Sequence, residues 1–60
     1  RMNTIEELKN NDDKLIEVLF AIGDARTALE EEGENAVEAY KSHVRLAYRL
    51  LSSIEEELED

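Results

Sequence analysis

Residues 15–29 read LIEVLFAIGDARTAL, and this stretch is too apolar for a helix with a single neighbour. At 100° per residue its apolar side chains, among them Leu15, Ile16, Val18, Leu19, Phe20 and Ile22, cover roughly 280° of the helix circumference. Only a sector near Glu17, Asp24 and Glu31 stays polar. One packed helix covers about a third of such a surface. The stretch therefore predicts a helix that meets more than one partner.

The flanking residues set the limits of that helix. Upstream, TIEELKN places Thr4 and Glu7 at capping-box spacing, and NNDDKL offers Asn11 or Asp12 as a second N-cap. Residues 4–10 are then either a separate short turn or the front of one continuous helix. The main helix is expected over about residues 12–32, ending at Gly33, which lacks a Cβ and takes the left-handed C-terminal conformation readily. Asn35 with Glu38 forms a variant capping box, so residues 33–35 read as a short loop and about 36–58 as a second helix. A connection this short makes antiparallel neighbours.

The second helix places Val37, Tyr40, Val44, Ala47, Leu51, Ile54 and Leu58 at alternating three- and four-residue spacings. The first helix answers with Leu8, Leu15, Ile22 and Leu29 every seventh residue, and with Val18 and Ala25 between them. These two seams predict an all-α antiparallel helical hairpin filling a single domain, residues 1–60. They leave Ile16, Phe20, Leu46 and Leu50 uncovered. The expected covering is a second copy, giving a homodimeric four-helix bundle, or a different protein docked on the same surface. Gly23 lies inside the most apolar part of the first helix. It reads either as a tolerated weakness or as a point of close helix approach at a dimer centre.

Composition supports the same picture. With 42% hydrophobic and 38% charged residues, the chain is too apolar for simple disorder and is interleaved as bundles are. Sixty residues bury a small core, and the absence of cysteine removes disulfides and thiolate metal sites as stabilisers. Self-association is the leading candidate that remains. The longest uncharged run, VLFAIG at residues 18–23, is too short to span a bilayer, so the expectation is a cytoplasmic protein without a membrane role. Arg1 ahead of Met2 suggests a native start at Met2.

Catalytic constellations are sparse. His43 is the only histidine, and Ala39, Tyr40, Leu46 and Ala47 occupy the helically adjacent positions where a carboxylate partner would stand, so it reads as a boundary residue. Glu55, Glu56 and Glu59 resemble the E-E-x-x-E metal box of all-α nucleoside triphosphate pyrophosphohydrolases. Here the box falls on the last turn with no downstream partner carboxylates, and it reads as a solvated charge run. No phosphate loop or nucleophile set exists. The expectation is a non-enzyme without metal or cofactor. A ribbon-helix-helix DNA binder would need an alternating N-terminal strand, which is missing, and a net charge of −9 repels phosphate.

The sequence thus points to a small acidic homodimeric interaction module, a regulator or adaptor acting on another protein. Ile16, Phe20, Gly23, Leu46, Tyr48 and Leu50 are the candidate interface residues. The window AYKSHVRLAYR, residues 39–49, is free of acids and carries three bases. Lys41 is expected to pair with an acid of the first helix or of a second subunit, whereas Arg45 and Arg49 either balance nearby acids or contact the partner. Two other readings stand beside this one. One is an acidic inhibitor that mimics nucleic acid, such as an antitoxin or a phage antagonist; the other is a purely structural oligomerisation bundle.

Overall fold

The Thr4 box forms as its spacing requires. Glu7 N–H donates to Thr4 Oγ1 at 3.1 Å and Thr4 N–H donates to Glu7 Oε1 at 2.9 Å, which starts the short helix α1, Ile5–Lys9. This computed structural model describes residues 3–31 and 33–58; Arg1, Met2, Glu32 and Glu59, which bear on the expected start, helix end and acidic box, lie outside them. Asn10 and Asn11 then make a turn, so α1 is separate from the main helix α2, Asp12–Glu31. The Asn11 carbonyl accepts the first bond of α2 from Leu15 N–H at 2.9 Å.

Gly33 has φ of +58°, the left-handed conformation its lack of Cβ permits. It opens a 3₁₀ turn, Gly33–Asn35, that runs straight into α3, Ala36–Glu57. The expected cap at Asn35 does not form. Its backbone sits at φ −91°, ψ 4°, and its side chain makes no capping bond, because the turn already delivers the chain in near-helical geometry.

Helices α2 and α3 pack antiparallel as a hairpin, and no strand occurs among the described residues. The register is read from Lys14, whose Nζ donates to Ser53 Oγ at 3.2 Å and to Glu57 Oε1 at 2.8 Å. Near that end, Asn3 Nδ2 donates to the Glu57 carbonyl at 3.2 Å. The molecule is a rod, with Cα extents of 48 × 15 × 10 Å and a radius of gyration of 14.4 Å. A globular chain of this length has a radius of gyration of about 10 Å.

The hairpin seam is not the one expected from the large residues. On α2 it runs through Val18, Ala21, Ala25 and Ala28, all buried, with buried Asn11 and half-buried Lys14 continuing the same alternation of three and four. On α3 it runs through Ala36, Ala39, His43, Ala47, Leu50 and Ile54, each buried or half-buried. Val18, Ala21 and Ala47 form the central cluster, with Leu50 against it. Of the residues assigned to the seam from sequence, only Val18, Ala25, Ala47 and Ile54 are buried there. Leu8, Leu15, Ile22, Leu29, Val37, Tyr40, Val44, Leu51 and Leu58 are instead exposed. The physical reason is size: the small residues Ala21, Ala25, Ala28, Ala36, Ala39 and Ala47, interspersed with Val18, Leu50 and Ile54, fill the seam with less bulk than the leucine and tyrosine rows would bring.

Candidate interaction surface

The displaced large residues are not scattered. On a seven-residue repeat, Leu15, Ile22 and Leu29 stand next to the alanine seam of α2, about a quarter turn around from it. Val37, Val44 and Leu51 stand about a quarter turn around from the seam of α3, in the same rotational sense. Because the two helices run antiparallel, equal rotation in the same sense brings both rows to the same broad side of the hairpin. Leu8 and Leu58 continue the spacing at one end, and Tyr40 lies between the α3 row and the seam.

The opposite broad side is polar. There α2 presents Glu17, Asp24 and Glu31, again seven residues apart, and α3 presents Ser42, Arg49 and Glu56. All six are exposed. The hairpin is therefore a layer with a largely apolar side and a largely charged side, the exposed Phe20 and Leu46 being the large apolar residues on the charged half.

The accessible surface measures how much is left uncovered. It is 5073 Å², whereas a folded monomer of this mass exposes about 4,000 Å². The excess of about 1,000 Å² reflects the rod shape, which leaves both broad sides of the layer open.

The candidate interface residues separate into groups. Leu50 packs into the hairpin and is not part of a free surface. Tyr48, 70% exposed, lies at the outer margin of the apolar side. Ile16 and Gly23 fall on the outer edge of α2, with Phe20, 68% exposed, turned from that edge toward the charged side. Leu46 is exposed at the charged side of the seam. Beside Gly23 a shallow depression is lined by Arg26, Thr27 and Glu30, and a Cβ added to Gly23 would meet nothing within 4 Å.

Arg45 points most nearly away from α2, and Arg49 turns toward the charged side; both are exposed. Lys41 is also exposed on the edge away from α2. The cross-hairpin ion pair expected of Lys41 with the first helix is made instead by Lys14 with Glu57. Both partners are partly solvated, so the pair contributes less than about 1 kcal/mol.

Leu19 counts in the apolar arc of the first helix but is absent from the candidate interface residues. It is 67% exposed at the outer margin of the apolar side, level with the centre of the hairpin. Its signal was its place between Asp12 and Arg26, seven residues from each.

His43 is half-buried on the alanine-rich seam. Among the described residues no group of three His, Asp or Glu side chains converges as a metal site, and no helix is long and apolar enough to cross a membrane. Fold and surface together define a two-helix layer with one unpartnered apolar side. No family model, curated protein or solved structure matches the chain.

Proposed function

We propose that the chain is a homodimeric protein–protein interaction module, in which two hairpins close their apolar sides into a four-helix bundle that regulates or adapts another protein. The observation that carries this reading is the division of labour by size. Small residues, with Val18, Leu50 and Ile54, close the hairpin, while Leu15, Ile22, Leu29, Val37, Val44 and Leu51 stay exposed along one side of it, with Tyr40 and Tyr48 at its margins. Large apolar surfaces left open in this way are interaction sites. Closure of the apolar sides keeps Ile16 and Phe20 outside the bundle, where they serve as anchors for a second protein, with Arg45 and Arg49 as charged contacts on the other edge.

Thermal unfolding at a series of chain concentrations tests the dimer. The midpoint rises with concentration if association stabilises the fold, and a midpoint independent of concentration contradicts the reading. For the second partner, affinity capture from the native host with wild type and with the Arg45→Ala/Arg49→Ala variant is informative. Loss of the captured protein with the dimer intact supports the arginine contacts, and unchanged capture removes them.

The row Glu17, Asp24 and Glu31 on the charged side favours a second reading, an acidic inhibitor that occupies the nucleic-acid surface of a basic protein. Capture of that kind weakens steeply with salt, and capture through Ile16 and Phe20 does not.

A further inference from the structure

The apolar side is flanked by charges whose order is informative. On α2, Asp12 and Arg26 stand seven residues before and after Leu19. On α3, Lys41 and Glu55 stand seven residues before and after Tyr48. All four charged residues are exposed, and no salt bridge among the described residues engages them. Each helix thus carries a margin with an apolar centre and opposite charges at equal distances on either side.

The hairpin register brings the two centres to nearly the same level. Lys14 lies against Ser53 and Glu57, and Val18 and Ala21 cluster with Ala47 and Leu50, so Leu19 stands about opposite residue 49, one residue from Tyr48. A single two-fold axis laid across the rod can therefore pass close to both centres.

We propose that a second copy covers the apolar side about that axis, so that α2 pairs antiparallel with the partner's α2 and α3 with the partner's α3. Asp12 of each chain then meets Arg26 of the partner subunit, and Lys41 meets Glu55 of the partner subunit. The apolar rows match as well: Leu15 lies opposite Ile22, and Val44 opposite Leu51, with Leu19 and Tyr48 near their own copies. Every charge in the rim finds an opposite charge.

The other closed arrangement of two hairpins, with the axis along the rod, stacks α2 on the partner's α3. At the levels fixed by the register it sets Asp12 beside Glu55 and Arg26 beside Lys41, like charge against like in each case. The charge pattern selects the first arrangement over the second.

This inference rests on the dimer proposed above, and charge-reversal variants separate the two. In sedimentation equilibrium at low salt, Arg26→Glu should weaken the wild-type dimer on the order of 30-fold, because two attractive pairs become repulsive. Asp12→Arg/Arg26→Glu in one chain keeps the net charge and should restore wild-type affinity. An equimolar mixture of Asp12→Arg and Arg26→Glu chains should form a heterodimer as tight as wild type. Lys41→Glu, and its rescue by Lys41→Glu/Glu55→Lys, repeats the test on α3 independently of the first turn of α2. Tighter association of Arg26→Glu would overturn the proposed axis in favour of the other arrangement, and weakening without rescue by the double variants would also overturn it. A wild-type chain that stays monomeric would overturn the dimer itself and this inference with it.

Discussion

At the scale of single residues, two cap candidates and one glycine each make a separate prediction. Thr4 makes both bonds of its box, so Thr4→Ala should cost α1 about 1 kcal/mol. Amide exchange reads this directly: Glu7 N–H should exchange faster, while the amides of α2 and α3 keep their protection. Asn11 is buried, 5% exposed, and its Oδ1 has no hydrogen-bond partner among the described residues. Removing that oxygen relieves a desolvation cost of about 1–3 kcal/mol, which offsets any weakening at the helix start. Asn11→Ala should therefore leave the denaturant midpoint unchanged or raise it, whereas a clear fall would show a working cap. Gly23 is exposed with open space around its Cα, so Gly23→Ala should stabilise the fold by about 0.5–1 kcal/mol in urea unfolding. Loss of association in that variant would instead reveal close helix approach at this edge.

At the scale of elements, the hairpin depends on small side chains where a hydrophobicity ranking expects large ones. Ala21 is 2% exposed in the central cluster, so Ala21→Leu should push α2 and α3 apart and destabilise the chain by about 1–3 kcal/mol, measured by urea unfolding. The helices, their antiparallel order and the left-handed Gly33 were legible in the sequence, because caps, glycines and spacing are local signals. The choice of seam was not. Leu15, Ile22 and Leu29 repeat every seven residues, and so do Val18 with Ala25 and Ala21 with Ala28; periodicity alone does not say which row meets the neighbouring helix. Backbone approach decides that, and it depends on the sizes of residues on both helices at once. The Lys14–Glu57 pair was hidden for a related reason, since finding it requires the register between residues 43 positions apart. For the surface, the excess of apolar residues was legible, and its sorting onto one side was not.

At the scale of the whole molecule, a rod that exposes 5073 Å² with an alanine-rich core has little reason to persist alone. Folding and association are expected to be coupled, so substitutions on the apolar side should lower stability by more than their contacts within the hairpin explain. Ile22→Ala is one such change. It should reduce the unfolding midpoint in proportion to the loss of dimer, with an effect that shrinks upon dilution into the monomer range. The most direct test of the central claim is sedimentation equilibrium of the wild-type chain across micromolar concentrations, beside Leu19→Glu. The wild type should sediment at twice the 6.9 kDa chain mass and the variant at the chain mass with reduced helicity. A wild-type chain that remains folded and monomeric throughout that range would contradict the account.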